Sequence, residues 1–427
     1  MLYSNLFTKT SKDVPADEVS KNAQLLIQAG FVHKTMAGVY SYLPLGLKVI
    51  NKIENILRKH LNSIGGQEIL MNSLHPKIWW EKTNRWEGVD ILFKLESQTD
   101  TQYALACSHE EQVTPIVKNF VNSWKDLPQY NLEEKIFPLC VYQIQTKFRD
   151  ELRAKSGMLR GREFRMKDMY DFHSTKQSQD KYYDLVKKTY LNIYTEMGLK
   201  AYPVQASGGI FTKNESHEFQ VVCDAGEDEI LYSEDDQFAI NSEIYDTFIN
   251  SGGKAPKNLK KAVSAEVGNI FKLDTKYTDP FEVSVTDKDN NKIIPLMNCH
   301  GIGTSRCMGV IAEIHSDERG LKWPKSVAPF GYHIITSFND KDDQSVIENI
   351  QNTAQKLCSG EMEINGEKIN SDVIWDDRKG VSLGEKLKDA DLIGCPMQVI
   401  ITKRSLENGG VEIKDRATLE SKIVSMV

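Results

Sequence analysis

Residues 148–164 read FRDELRAKSGMLRGREF, a stretch that combines arginines, a carboxylate and an aromatic ring. Arg149 and Glu151 are separated by one residue, so on a β-strand both side chains would point to the same face. A basic loop follows, and a return strand is predicted to open with Arg160 and to carry Phe164. Most charged hairpins are simply solvated, but arginines grouped around an aromatic ring favour binding of an anion.

A second motif, GIGTSR at 301–306, places two glycines before an apolar stretch that predicts a helix, with Arg306 at its start. Guanidinium groups bind phosphates, an aromatic ring stacks on a base, and a carboxylate accepts from an exocyclic amine. Together the two motifs could hold a nucleoside triphosphate in a bent conformation. A G-x-G sequence alone is a weak indication of nucleotide binding, so the interpretation depends on both motifs together.

Length and composition indicate a globular protein of two or three domains: 427 residues, 40% hydrophobic and 26% charged. The sequence lacks both a membrane-spanning apolar run and a signal peptide, so we expect a cytoplasmic protein without a membrane partner. Seven scattered cysteines without a C-x-x-C pair argue against a disulfide framework and a structural zinc site. The net charge of −7 would by itself argue against a nucleic-acid partner. Basic residues nevertheless cluster at 147–167, and local clusters can bind phosphates whatever the net charge.

The hydrophobic pattern predicts helices separated by runs of strands. Residues 17–63 are predicted to be helical, Gly65-Gly66 to end that helix, and QEILMNSLHP at 67–76 to form a strand. Further elements are a helix from Glu110, the strand LCVYQIQTKF, a helix at 177–198, strands at 200–206, 217–223 and 229–233, and a hairpin joining EVSVT to IIPLMNC. This order favours an α+β domain built on an antiparallel sheet flanked by helices.

Near residue 328 the pattern changes to alternating β and α segments. We predict the strands YHIITSF, DVIWDD and MQVIITK, helices at 342–358 and 383–392, and a terminal helix at 417–427. Residues 1–328 therefore form one predicted domain, and residues 329–427 form a second, α/β domain large enough to fold alone.

The two arginine motifs, in this order, resemble motifs 2 and 3 of the class II aminoacyl-tRNA synthetases, at about 140–170 and about 296–315. The helix–turn–strand–Pro segment at about 45–76 resembles motif 1, which builds the dimer interface in that family and so implies a homodimer. An ordinary amphipathic helix before an edge strand would explain this segment equally well.

Other segments resemble the bacterial prolyl-tRNA synthetases almost from end to end: YSYLPLG, CSHEEQ, QTKFRDE, KDMYDFH, SHEFQ, LMNCHGIGTSR and DERG. The resemblance implies activation of proline with ATP to prolyl-adenylate and pyrophosphate, and then transfer to the 3′-terminal adenosine of tRNA(Pro). It implies ATP as cofactor, Mg²⁺ bound mainly through the nucleotide, and no zinc.

The resemblance also assigns roles at the ATP site. Arg149 would contact the α-phosphate and the substrate carboxylate, and Arg306 would cover one face of the adenine and contact the γ-phosphate; these two are the catalytic residues. The other ATP contacts would be Glu151 at the adenine amine, Phe164 stacked on the ring, Arg160 at the terminal phosphate, and Gln220.

Ser108-His109-Glu110 corresponds to the family's T-x-E element, which binds the proline ammonium. Serine keeps the hydroxyl and loses a methyl group. The rest of the proline site would comprise Arg149, Met166, Asp168, Tyr170, Ser216, His217 and Gly303, with Cys299 where the family often carries a cysteine. Met166 and Tyr170 could instead be core residues, and Ser108 could cap the following helix.

Residues 329–427 resemble the anticodon-binding domain of the prolyl, threonyl, histidyl and glycyl enzymes, through DDRKGVSLGEKLKDADLIGCP at 376–396. The candidate anticodon contacts are Arg378, Lys379 and Lys386, although exposed lysines on a helix are usually only solvated.

One departure concerns the long bacterial enzymes, which carry an editing insertion between motifs 2 and 3. Residues 241–268 leave no room for it. A proline pocket cannot strongly exclude alanine, since each methylene contributes only about 1–3 kcal/mol of discrimination. We therefore expect no editing in cis and a possible separate deacylase as partner.

Two other functions remain open from the sequence: a class II synthetase for threonine, serine or histidine, and a non-catalytic paralogue that regulates or binds RNA. The segments at 107–112 and 167–173 weigh against the first, and the intact Arg149, Arg160 and Arg306 weigh against the second.

Overall fold

The computed structural model describes residues 1–427 except 15, 17, 128–138, 210, 213–215, 340, 365, 371 and 427. The chain divides into two compact units. Met36–Tyr40 and Ile53–Val310 form the first, here called the core unit. Met1–Thr35, Ser41–Lys52 and Ile311–Val427 form the second, here called the terminal unit.

The described chain contains ten α-helices and twenty-three strands, with several strands following one another between helices. The helices are α1 (Lys21–Gln28), α2 (Pro44–Ser63), α3 (Lys77–Lys82), α4 (Glu110–Phe120), α5 (Lys176–Glu196), α6 (Ser242–Asn250), α7 (Thr304–Ile314), α8 (Gln344–Ser359), α9 (Leu383–Ile393) and α10 (Lys403–Glu407). The strands are β1 (Val32–Met36), β2 (Val39–Tyr42), β3 (Gln67–Glu68), β4 (Leu74–Pro76), β5 (Lys94–Glu96), β6 (Gln102–Leu105), β7 (Leu139–Phe148), β8 (Glu163–His173), β9 (Ala201–Ala206), β10 (Ser216–Val222), β11 (Asp228–Ser233), β12 (Phe238–Asn241), β13 (Lys260–Asp274), β14 (Val285–Thr286), β15 (Lys292–Ile293), β16 (Leu296–Gly303), β17 (Ser316–Asp317), β18 (Gly320–Leu321), β19 (Tyr332–Ser337), β20 (Val373–Asp376), β21 (Met397–Thr402), β22 (Val411–Asp415) and β23 (Ser421–Val424).

A large sheet organises the core unit, with the strand order β2-β8-β16-β13-β10-β9-β12-β11. Strand β7 also pairs with β8, and β3 pairs with β7. The long central strands β7, β8, β16, β13, β10 and β9 run antiparallel to their neighbours in this group. The predicted antiparallel α+β fold is confirmed.

Alternation along β8 separates two faces of this sheet. Lys167 and His173 lie on one face, where they meet Tyr190 and Ser178 of α5. Residues of the other parity point to the opposite face. Because α5 covers the first face, the second is available for a binding site.

The terminal unit contains a second sheet, of order β20-β19-β21-β22-β23. Strands β20, β19 and β21 are parallel, whereas β22 and β23 are antiparallel to their neighbours. The N-terminus extends this sheet, because Leu2 bridges to Trp375 and the Tyr3 amide donates to the Trp375 carbonyl at 2.7 Å.

Three local predictions were wrong. The region 17–63 is helical only in α1 and α2, because left-handed glycines precede the intervening hairpin at Gly30 (φ +73°) and form its turn at Gly38 (φ +76°). The predicted strand 67–76 forms only the short β3 and β4. The predicted terminal helix 417–427 is replaced by β23. This strand pairs with β22 and supplies hydrogen-bond partners for the backbone groups along the edge of β22.

Among the helices of the described ranges, none has the length and apolar character needed to cross a membrane.

Candidate active site

A cavity of about 280 Å³ lies in the core unit, on the sheet face that α5 leaves free. Residues of β8, β10, β13 and β16 border it, together with the loop after β7, residues 207–209 and 211, and the start of α7. The structure brings together nine of the predicted site residues here: Ser108, Arg149, Glu151, Arg160, Phe164, Met166, Asp168, Gly303 and Arg306.

Arg149 directly follows the last residue of β7, so it lies in the loop and not on the strand. The prediction that a strand aligns Arg149 with Glu151 was therefore wrong, although both still border the cavity. The guanidinium of Arg149 lies 5.2 Å from the ring of Phe164, and its Nε has no hydrogen-bond partner among the described residues. Burial lowers the pKa of Arg149. A half-buried cation whose buried Nε has an unused donor is suited to bind an anion.

Arg160 is held between two carboxylates. Its Nε donates to Glu151 at 3.0 Å and its Nη1 donates to Glu227 at 2.9 Å. Hydrogen bonding to Glu151, reinforced by Glu227, raises the pKa of Arg160. These bonds fix the position of the guanidinium beside the cavity, where it remains partly exposed.

Arg306 is the third residue of α7, as the sequence predicted for the start of a helix. Its Nε donates to the carbonyl of Leu159 at 2.6 Å, and its Nη1 donates to the carbonyl of Glu266 at 2.7 Å. The Glu266 carboxylate lies 3.3 Å from the same Nη1. The two backbone acceptors orient the guanidinium towards the cavity.

Asp168 provides a fixed negative charge at the cavity wall. Its Oδ1 lies 2.6 Å from Lys147 Nζ, and its Oδ2 accepts from Gln143 at 2.9 Å and from the Tyr170 hydroxyl at 2.8 Å. Burial favours the neutral form, but the Lys147 charge outweighs it and lowers the pKa of Asp168. Tyr170 itself lies behind the wall, fully buried.

Ser108, His109 and Glu110 form the turn into α4. Ser108 borders the cavity, while the cap position is His109, without a side-chain cap bond; the alternative role of Ser108 as a cap is therefore not observed. The Glu110 carboxylate is buried, accepts from Cys299 Sγ at 3.0 Å and lies 3.5 Å from Arg85. Burial is the main reason that the pKa of His109 falls to about 3, so its ring is neutral.

Three predicted residues of β10 do not reach the cavity in the described structure. The Ser216 hydroxyl donates to Ala206, and His217 lies on the helix-covered face beside Tyr183. Gln220 donates to Glu218 and Asp228.

Sequence reasoning missed Glu218, although alternation along β10 places it on the same face as Ser216. Glu218 borders the cavity, and burial together with the nearby Glu266 carboxylate raises its pKa to about 8. Other bordering residues that were missed are Phe211, which precedes β10, and three residues of β13: Glu266, Asn269 and Phe271.

In the terminal unit, the candidate tRNA contacts differ in their surroundings. Arg378 pairs with Asp376 at 2.6 Å and Asp389 at 2.7 Å. Lys386 is buried and donates to the Thr336 carbonyl at 2.8 Å. Only Lys379, of the three, is exposed.

The chain is similar to proteins of known activity along its whole length. The family described as tRNA synthetase class II core domain (G, H, P, S and T) matches residues 93–315, and the anticodon binding domain matches 333–427. A proline–tRNA ligase of Anaplasma phagocytophilum (strain HZ) is 34% identical over 445 residues, covering 100% of this chain and 98% of that protein. A proline–tRNA ligase of Bacillus cytotoxicus is 30% identical over 580 residues, covering 100% and 98%.

The fold is also shared with a solved structure of Giardia lamblia prolyl-tRNA synthetase in complex with prolyl-adenylate. The two superpose with a TM-score of 0.76 at 20% identity, covering 94% of this chain and 73% of the other.

Proposed function

The chain belongs to the proline–tRNA ligases, a family of class II aminoacyl-tRNA synthetases, and we propose that its core-unit cavity forms prolyl-adenylate. A carboxylate oxygen of proline attacks the α-phosphorus of ATP, the bond to the bridging oxygen breaks, and pyrophosphate leaves. A hydroxyl of the 3′-terminal adenosine of tRNA(Pro) then attacks the prolyl carbonyl, and AMP leaves. Neither step needs a covalent nucleophile on the protein, so catalysis is positioning and charge stabilisation.

The observation that carries this proposal is the half-buried Arg149, whose Nε is buried and has an unused donor, over the ring of Phe164. Arg149 would bind the α-phosphate and the proline carboxylate and stabilise the charge that develops between them. Phe164 would stack on the adenine and Glu151 would accept from its amine. Arg306 would cover the other adenine face and contact the γ-phosphate.

Arg160 would hold the terminal phosphate from its position between Glu151 and Glu227. Arg160 already donates to Glu151 and Glu227. It would bind the phosphate with its remaining N–H donors or by exchanging part of these two hydrogen bonds. Gln220 would act through Glu218, to which it donates at 3.0 Å.

Proline would lie near Ser108, Met166, Asp168 and Gly303, which border the same cavity as Arg149. The Asp168 carboxylate, held charged by Lys147, would attract the proline ammonium. Glu110, which accepts from Cys299, would add to the attraction for the proline ammonium. Tyr170 would hold the Asp168 carboxylate in place through its hydroxyl hydrogen bond.

Mg²⁺ would enter the cavity bound mainly through the nucleotide, and among the described residues no group of three or more His, Cys, Asp or Glu side chains could hold the ion by itself. Glu218, Asp228 and Glu266 lie close enough that the other two carboxylates, together with burial, raise the pKa of Glu218. Carboxylate oxygens are ligands that Mg²⁺ accepts, directly or through water. When bound, the ion would neutralise phosphate charge.

We further propose that the chain lacks editing in cis and depends on a separate deacylase. The alignment with the Bacillus cytotoxicus ligase runs over 580 residues, whereas this chain has 427. A long part of that enzyme therefore has no aligned residue in this chain. Between β12 and β13 the chain carries α6 (Ser242–Asn250) and short connections. That length supports the absence of an editing domain.

Two partners follow from the family. The exposed Lys379 of the terminal unit is a candidate for contact with the tRNA anticodon, with Arg378 and Lys386 supporting that region from within. Leu70 and Leu74, within the motif 1 segment, and Ile78, just after it, are exposed by 75%, 47% and 59% and support a homodimer interface there.

Proline-dependent exchange of pyrophosphate into ATP tests the proposed first step, because exchange requires reversible adenylate formation. Exchange driven only by threonine, serine or histidine would assign the site to another amino acid. Binding of ATP without exchange would favour a non-catalytic paralogue.

A further inference from the structure

Gly309, inside α7, lies against the tip of the loop between β7 and β8, which carries Arg149 and Arg160. A Cβ at Gly309 would lie 3.0 Å from Met158 Cβ and 3.1 Å from Leu159 Cδ1, closer than ordinary contacts. Glycine inside a helix costs roughly 1 kcal/mol relative to alanine, so helix stability alone does not favour it here. The close approach of the loop supplies a reason for its presence.

The loop reaches this position through two consecutive left-handed residues. Ser156 has φ +58° and Gly157 has φ +63°, and the short 3-10 turn Gly157–Leu159 follows. Met158 and Leu159 are exposed by only 5% and 4%, and both border the cavity. The loop tip is therefore packed into the core unit.

Arg306 and Gly309 are three residues apart in α7, so they lie on the same helix face. Both meet the same loop tip: Gly309 leaves room for Met158, and Arg306 Nε donates to the Leu159 carbonyl at 2.6 Å. A shift of the loop tip away from α7 would thus remove one of the two backbone acceptors that orient the Arg306 guanidinium.

We propose that Gly309 and Met158 are positioning residues for ATP: their close contact fixes the loop tip so that the Leu159 carbonyl holds Arg306 in its binding orientation. The inference rests on the proposed role of Arg306 at the nucleotide. It concerns ATP and not proline, because the contact at the loop tip acts through the Leu159 carbonyl on Arg306, which is assigned to ATP, whereas the proline contact of this loop, Arg149, lies at its start next to β7.

The test compares Gly309→Ala with the wild-type full-length chain in pyrophosphate exchange, varying ATP at saturating proline and proline at saturating ATP. Because small displacements of a positioning contact weaken binding strongly, we expect the KM for ATP to rise about tenfold. The KM for proline should stay within about twofold, and the melting temperature should change little, since the helix preference of alanine offsets the strain at Met158.

Gly384→Ala is the matched control, because Gly384 also lies in a helix, α9, but a Cβ there meets nothing within 4 Å. It should leave both KM values unchanged. Met158→Ala, which loosens the contact from the loop side without adding volume, should raise the KM for ATP in the same way and serves if Gly309→Ala folds poorly.

An Arg306→Lys background gives the decisive comparison. There the Nε bond is already lost, so Gly309→Ala should add little to the KM for ATP. An unchanged KM for ATP in Gly309→Ala, an equal rise in both KM values, or a full additional rise in the Arg306→Lys background would overturn the inference. Absence of exchange in the wild-type chain would instead overturn the proposed function.

Discussion

Lys147 Nζ lies 2.6 Å from Asp168 Oδ1, and both side chains are buried. Asp168 borders the cavity, whereas Lys147 lies behind it. Burying two charges is costly, and the cost is recovered only if the pair keeps good geometry and further hydrogen bonds. Gln143 and Tyr170 supply those bonds to Asp168, so the pair holds a carboxylate in a fixed place beside the substrate.

Replacing Lys147 by methionine should lower the free energy of unfolding by about 3–5 kcal/mol, because Asp168 then lacks its buried counter-charge. The double variant Lys147→Met/Asp168→Asn should recover much of that loss. Urea unfolding of the four proteins measures this coupling. Losses that simply add in the double variant would contradict it.

Arg149→Ala should reduce proline-dependent pyrophosphate exchange by about 10²–10³-fold, the cost of losing one donor aimed at developing charge. Its circular dichroism spectrum and melting temperature should stay near those of the wild type. Arg153→Ala is the control, since Arg153 is an exposed arginine of the same loop and should exchange normally. Near-normal exchange in Arg149→Ala would remove this residue from the proposed mechanism.

Glu218 predicts a specific pH dependence of stability. Burial, with help from Glu266, raises its pKa to about 8 in the folded protein. A carboxyl group whose pKa is raised by folding stabilises the fold below its ordinary pKa, and that contribution is lost as the pH rises through the folded value.

Glu218→Gln cannot ionise, so its melting temperature relative to the wild type should increase as the pH is raised from about 5 to about 9. Glu96→Gln, at an exposed carboxylate of the same unit, should show no such trend. A pH-independent difference for Glu218→Gln would mean that Glu218 titrates normally.

The proposed absence of editing predicts that the purified chain accumulates alanyl-tRNA(Pro) when supplied with alanine, ATP and tRNA(Pro). Discrimination by pocket size is limited to about 1–3 kcal/mol for each missing methylene. Addition of a deacylase specific for alanyl-tRNA(Pro) should clear the product. Rapid hydrolysis of preformed alanyl-tRNA(Pro) by the chain alone would reveal an editing activity.

The sequence predicted the fold class where hydrophobic periodicity was long and regular, as in α5 and in the strand β7. It failed where turns decided the outcome. The glycines at 30 and 38 interrupted a predicted helix, and β23 formed where a terminal helix was expected, because pairing with β22 is a tertiary effect that local pattern does not contain.

The candidate site was predictable where residues belong to dense motifs, such as Arg149, Phe164 and Arg306. Glu218 and Glu266 were missed because their strands, β10 and β13, are distant from each other in sequence, so only the sheet register brings these residues together. His217 was assigned to the site although strand alternation directs it to the opposite face, beside Tyr183.

The most direct test of the central claim is pyrophosphate exchange by the purified full-length chain with each of the twenty amino acids in turn. The proposed function predicts ATP–pyrophosphate exchange that depends on proline and is weaker with alanine. Exchange that does not depend on proline, or its complete absence in a folded, ATP-binding chain, would contradict the claim that this cavity forms prolyl-adenylate.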